Sequence, residues 1–276
     1  MNSDKLKIIV KELFPPILLK LFRTYMHRYG FSGNYDSWED AFQKTAGYDS
    51  EVILEKVKNA MLKVKEGRSV YERDSVLFDK IHYSWQLLAG LLRIAALNNN
   101  RLSVLDFGGS LGSSYYQNKV FLSDLDELRW SVVEQDAFVR CGKDYFETKH
   151  LKFYFDIETC RNHEKPDVII LSGVLQYLKQ PYQFIDNILK ERFEHIIIDR
   201  TSLLLANEDR LTIQKVPPKI YRGSYPAWFL NLKKFKRLFL SEYDLLIEFD
   251  ALGKSKLPKS TFKGFIFSRK KSNRCN

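Results

Sequence analysis

Asp106, Gly108, Gly109 and Gly112 close the apolar run Ser103-Val104-Leu105-Asp106-Phe107 and set a carboxylate just ahead of a glycine-rich turn. Glycines at such a turn let the backbone approach a ligand where a Cβ would collide, and the helix behind it presents unpaired N–H groups. An acid two residues before Gly108 would repel the pyrophosphate that the dinucleotide fingerprint binds, so the pattern favours a ligand with a positive end. Ser110 stands between the glycines, keeping the backbone N–H but adding a side chain. Glu134 follows Gly112 at about the spacing where nucleotide-binding sheets offer an acid to ribose hydroxyls, and a carboxylate accepts from two hydroxyls at once. Asp156 ends the run Leu151–Asp156. The three acids are expected on one rim of a parallel sheet, where open α/β folds bind ligands.

The elements that must position these acids follow from the hydrophobic pattern. Strands are expected over the run ending at Asp106, then over Leu128–Gln135, Leu151–Asp156, Asp167–Ser172 and His195–Asp199, with a helix over Pro181–Phe193. The β-rich runs Tyr243–Ala251 and Thr261–Arg269 are joined by a connection too short for a crossover helix, so they must pair antiparallel. Ser202–Pro226 is expected as a long functional loop, with the basic helix of Lys233, Lys234, Lys236 and Arg237 after it. Upstream, Ser37 is spaced to cap a helix, and Val52, Ile53, Val57, Ala60, Met61 and Val64 recur at helical intervals up to Gly67. Asp74 precedes Leu77, Ile81, Trp85, Leu88, Leu92 and Ala95, which predict one long amphipathic helix ending at Asn98-Asn99-Asn100. His82, Tyr83 and Trp85 on it would line the crevice or pack. After Pro15-Pro16, Ile17, Leu18, Leu21, Phe22, Tyr25 and Tyr29 form one face of a basic helix that either packs on the domain or touches a membrane surface.

Composition bounds the rest. Residues 201–276 hold 16 of the 44 basic and 6 of the 34 acidic side chains, so the whole excess of +10 lies in that quarter. Such a face suits nucleic acid, anionic lipid or a phosphorylated substrate, or it is simply a solvated surface. Three separated cysteines, Cys141, Cys160 and Cys275, with no C-x-x-C pair argue against a disulfide framework, and Cys160 with His163 lacks the second pair a metal would need. No metal is expected, no run is apolar enough to span a bilayer, and a reducing cytoplasm is the simplest location, with peripheral contact on the inner membrane face as an option.

The acid-glycine motif and the terminal antiparallel pair together resemble the class I S-adenosylmethionine-dependent methyltransferases over residues 100 to the end. Tyr35-x-x-Trp38-x-x-Ala41, Gly47-Tyr48 and Tyr71-Glu72-Arg73-Asp74 resemble a group of methyltransferases associated with bacterial surface-polysaccharide gene clusters. The resemblance implies a doubly wound, mostly parallel Rossmann-like sheet closed by a C-terminal antiparallel hairpin. It further implies a helical extension over 1–99 and a methyltransferase domain over 100–276. S-adenosylmethionine would be the cofactor. Asp106 would face its ammonium, Gly108, Gly109, Ser110 and Gly112 would shape the pocket, Glu134 would take the ribose, and Asp156 would take the adenine amino group between Gln135 and Ile157. Tyr177, Arg200, Tyr221, Tyr225 and Trp228 would line an acceptor pocket for a small molecule or glycan, and no catalytic base is assigned. Methylation of RNA is the second reading, weakened because Ser172-Gly173-Val174-Leu175 stands where base-amino methyltransferases carry a proline-proline-aromatic tetrapeptide. A binding protein that has lost transfer is the third.

Overall fold

The computed structural model describes residues 29–45, 50–73, 76–218, 220–221 and 223–271. Strand β1 (Gly30–Tyr35) is followed by helices α1 (Trp38–Gln43) and α2 (Ser50–Lys65), a hairpin of β2 (Tyr71–Arg73) and β3 (Val76–Phe78), and α3 (Trp85–Leu97). Strand and helix then alternate through β4 (Arg101–Phe107), α4 (Ser113–Leu122), β5 (Glu127–Val133), α5 (Asp136–Tyr145), β6 (Leu151–Tyr154), α6 (Ile157–Glu164) and β7 (Val168–Ser172). A 3₁₀ turn at Leu175–Tyr177 leads to α7 (Pro181–Lys190), and the chain ends with β8 (His195–Leu204), β9 (Arg210–Lys215), β10 (Ser224–Asn231), α8 (Leu232–Leu240), β11 (Tyr243–Asp250) and β12 (Ser260–Arg269).

The central strands run parallel in the order β6-β5-β4-β7-β8, and β12 then pairs antiparallel with β8 and β11 with β12. This is the expected mixed α/β architecture with its terminal antiparallel hairpin. The apolar runs are continuous because both faces are covered. Val104, Ile170 and Ile197 point into one core with α2 and α3, while Leu105, Ile169, Leu171, Ile196 and Ile198 point into the other with α7 and α8. Residues one apart in sequence thus stabilise opposite layers, as period-two alternation requires.

Three expectations change. The long helix over Leu77–Ala95 is two things: Leu77 lies in β3 opposite Glu72, and the helix begins at Trp85. Its buried face is Leu87, Leu88, Leu91, Ile94 and Ala95, whereas Trp85 and Leu92 turn outward. Gly90 lies on that buried face, where a Cβ would stand 2.7 Å from Ile266 Cδ1, so the helix approaches the sheet closely there. Ser202–Pro226 is not a loop. β8 runs on to Leu204, and β9 and β10 form an antiparallel pair that joins β8 through Leu230 opposite Leu203. Trp228 sits in β10 and stacks on Trp38 with ring centroids 6.4 Å apart. Last, the segment before residue 100 adds strands as well as helices, since β1 pairs antiparallel with β9.

Val52, expected on the buried face of α2, is exposed, β6 ends at Tyr154 and α7 at Lys190, while the helix boundaries expected upstream are found. Ser37 accepts from Asp40 N at the start of α1, and Gly67 follows α2 with φ +73°. The basic helix read from Ile17, and Gly47, Tyr48, Asp74 and Cys275, lie outside the described residues.

Candidate active site at the carboxyl rim

A cavity of about 890 Å³ opens at the carboxyl ends of β4, β5, β7 and β8, within the range of small-molecule sites. Asp106, Gly108, Gly109, Ser110, Glu134, Gln135, Tyr177, Arg200, Tyr221 and Tyr225 all line it. Gly112, Asp156, Ile157 and Trp228 are not among its lining residues.

Asp106 is buried, with Oδ2 accepting from Trp130 Nε1 at 3.2 Å. Burial pushes its carboxyl up to about 7, against the opposing pull of the Trp130 hydrogen bond and the Arg200 guanidinium. The glycine turn is shaped around that carboxylate: a Cβ at Gly109 would lie 2.6 Å from Asp106 Cγ. Gly108 has φ +70° and donates its N–H to Val133 O at 2.9 Å, tying the turn to β5. Ser110 has φ +55°, a left-handed conformation that glycine adopts more readily than a residue with a side chain. Gly112, φ +89°, starts α4 against Leu151 and supports the turn from behind.

Glu134 follows β5 and clamps the same turn. Its Oε1 accepts from Ser110 N at 3.3 Å and its Oε2 from Gln135 N at 2.8 Å. Burial raises its carboxyl, and these two N–H groups oppose the rise. Each oxygen keeps a further lone pair for a hydroxyl donor. Asp156 does something else: it caps α6, its two oxygens accepting from Thr159 N at 2.7 Å and Thr159 Oγ1 at 2.9 Å.

The side facing β8 is aromatic and polar. Tyr177 donates to Gln214 Oε1 at 2.7 Å and meets the Tyr225 ring edge-on at 5.2 Å, and the Tyr221 and Tyr225 hydroxyls are 3.1 Å apart. Asp199 and Arg200 both line the cavity although they are neighbours on one strand. A bulge permits this. Lys263 faces Thr201 and Phe265 faces Ile198, so Gly264 alone opposes Asp199 and Arg200, and Arg200 takes φ +52°.

Sequence reasoning missed Asp199, Gln214, Lys254 and Trp38 as lining residues. The first depends on the bulge, and the others on pairing between segments far apart in the chain, so no local signal marks them. His82 lines the cavity, while Tyr83 and Trp85 pack on Phe121 at the surface. No group of three metal-ligating side chains occurs among the described residues.

No protein-family model and no curated protein matches the chain. Several solved structures share its general course. Magnesium protoporphyrin IX methyltransferase (ChlM) from Synechocystis PCC 6803, with bound SAM, is 11% identical with a TM-score of 0.45, covering 82% of this chain and 99% of that one. The N-methyltransferase NodS from Bradyrhizobium japonicum WM9, in complex with S-adenosyl-l-homocysteine, is 16% identical with a TM-score of 0.42, covering 77% and 100%. The N-terminal domain of EvdMO1, in the presence of SAH and D-fucose, is 14% identical with a TM-score of 0.44, covering 81% and 98%. At these identities and scores no reaction, ligand or residue role passes from them to this chain.

Proposed function

We propose that this protein binds S-adenosylmethionine at the carboxyl rim and transfers its methyl group to a small-molecule or glycan acceptor. The observation that carries the reading is the clustering of two carboxylates, the buried Asp106 and the half-buried Glu134, around one glycine turn. Together with the cavity beside them, they fit a ligand that has a cationic amino-acid end and a ribose. When bound, the cofactor supplies an electrophilic methyl on a sulfonium. Asp106, ionised, balances the ligand's positive end, and its burial makes such a contact stronger than in bulk water. Glu134 accepts from hydroxyls with the lone pairs its backbone donors leave, and Gly109 keeps the turn close to Asp106. The aromatic wall of Tyr177, Tyr221 and Tyr225 holds the acceptor, and transfer then needs in-line approach and exclusion of water. Asp156, engaged as a helix cap, supports the adenine end through the position of α6.

A part in surface-polysaccharide synthesis and peripheral contact with anionic membrane belong to this proposal, resting on the N-terminal sequence resemblance and on the basic last quarter. Calorimetry with S-adenosylmethionine and S-adenosylhomocysteine tests the site. Asp106→Ala and Glu134→Ala, folded, should each bind at least tenfold more weakly, as loss of a hydrogen bond to a charged group costs about 1.5–3 kcal/mol. Unchanged affinity in both would sink the assignment. Release of S-adenosylhomocysteine with sugar acceptors separates an enzyme from a protein that binds without transfer.

A further inference from the structure

We infer that the acceptor carries an anionic group, a carboxylate or a phosphate, and that Arg200 is the residue that selects for it; this rests on the methyl-transfer reading above. In a regular strand Asp199 and Arg200 would point to opposite faces. The bulge opposite Gly264 instead turns both toward the cavity, and Gly264 is required there because a Cβ would meet Ile198 O at 2.8 Å. Gly173 N donates to Asp199 O at 2.9 Å and Gln176 Nε2 to Arg200 O at 3.2 Å, so the bulged backbone is held from the β7 side. The guanidinium is aimed as well. Its Nε donates to Ser172 Oγ at 3.2 Å. A Cβ at Gly173 would lie 3.4 Å from Nη2, 3.5 Å from Cζ and 3.6 Å from Nε. Those near-equal distances lay the planar group flat over Gly173. With its plane fixed, a guanidinium offers a fork of donors that matches a carboxylate or phosphate edge.

Charge is also uneven within the cavity, with three of its four lining carboxylates on one side. Asp106, Glu134 and Asp136 line the β4 and β5 side, suited to a positively charged cofactor. Among the described lining residues the lysines and arginines are Arg200 and Lys254, on β8 and on the β11–β12 connection. Lys254 is exposed and forms no ion pair among the described residues, which leaves its charge to draw an anion toward the opening. Asp199, buried beside Arg200, is the fourth lining carboxylate and lies on the β8 side, where its Oδ1 accepts from Arg200 N at 2.9 Å and helps hold the bulge. An acceptor reaching from the Tyr177 and Tyr225 wall to Arg200 would present its reactive group to the cofactor side and its anion to the guanidinium.

The test titrates D-glucuronate, D-glucose 1-phosphate and D-glucose into the protein saturated with S-adenosylhomocysteine. At least one anionic sugar should bind tenfold or more tightly than glucose, and which one does so tells carboxylate from phosphate. Arg200→Gln should erase the preference, and Arg200→Lys, which keeps charge without the fork, should retain part of it. Lys254→Gln, a surface change, should weaken the anionic sugars about twofold to threefold and leave glucose unaffected. Equal binding of glucose, no binding of any of the three, or a preference that survives in Arg200→Gln would overturn the proposal. So would an Arg200→Gln protein that loses tenfold for S-adenosylhomocysteine but nothing for methylthioadenosine, since the arginine would then serve the amino-acid end of the cofactor. Failure of the unmodified protein to bind S-adenosylhomocysteine appears in the first titration and removes the methyl-transfer reading itself.

Discussion

Asp106 is a carboxylate that folding makes harder to ionise, and this has a defined pH signature. Its value rises from 3.8 in the unfolded chain to about 7 because burial outweighs the Trp130 bond. Between those values the unfolded chain has released a proton that the folded chain retains. Stability should therefore fall as pH rises from about 4 to about 7, by up to roughly 4 kcal/mol from this residue. Urea melts at pH 5 and pH 8 should show the drop, and Asp106→Asn should flatten it. A variant with the same slope as the unmodified protein would locate the titration elsewhere. Ligand binding should run the other way. A cationic ligand prefers the ionised acid, so its affinity should increase through pH 7 in the unmodified protein and hardly change in Asp106→Asn. Gly109→Ala tests the same contact sterically: a methyl 2.6 Å from Asp106 Cγ must displace the carboxylate, and about tenfold of S-adenosylhomocysteine affinity should go with it.

Between elements, the glycine turn is tied to the β2–β3 hairpin. Ser113 at the start of α4 donates from Oγ to Glu72 Oε2 at 2.6 Å, and Glu72 is 1% exposed. That bond connects the first turn behind the site to a segment from the N-terminal third of the chain. Hydrogen exchange over Tyr71 and Val76–Phe78 should slow when S-adenosylhomocysteine binds, and Ser113→Ala should uncouple the two. Glu72→Gln keeps an acceptor for Ser113 and should behave nearly as the unmodified protein, whereas Glu72→Ala should lower both stability and coupling. Equal protection of the hairpin in Ser113→Ala would show that the connection runs through packing of Met61 and Tyr71 instead.

For the whole molecule, the net charge of +10 already includes the acids that pair with the basic last quarter, and those pairs decide which of its cations stand unpaired. Lys234 pairs with Asp209 at 3.1 Å, Lys236 with Glu248 at 2.6 Å, and Lys263 with Glu248 at 3.0 Å and Asp250 at 3.1 Å. Within the basic helix α8, Lys233 and Arg237 form no ion pair among the described residues. Any binding to anionic vesicles should then depend on those two. Lys233→Gln with Arg237→Gln should weaken co-sedimentation about tenfold or more at low salt, at about 1 kcal/mol for each charge near the surface. Lys234→Gln with Lys236→Gln should lower the melting temperature slightly and affect vesicles less. An unmodified protein that ignores anionic vesicles at low salt would leave the basic quarter a solvated face.

The strand and helix alternation from β4 to β8, the antiparallel end and the acid-glycine turn were all legible in the sequence, because each depends on neighbours a few residues apart. Buried parallel strands write themselves as unbroken apolar runs, and a turn beside a carboxylate needs glycine wherever the chain runs. Tertiary structure decided the rest. Of the stripe from Leu77 to Ala95, Leu88 and Ala95 are buried while Trp85 and Leu92 turn outward, because the face that packs on the sheet is the one carrying Gly90. Asp156, expected to end a strand, lies two residues beyond the end of β6 at Tyr154 and caps α6 instead. The acceptor wall is further still from local control: β1 reaches β9 across most of the chain, and Arg200 enters the cavity only because β12 supplies one residue where β8 supplies two. Spacing along one strand cannot register a mismatch with another, so the bulge that brings Asp199 and Arg200 to the same cavity exists only in the folded sheet.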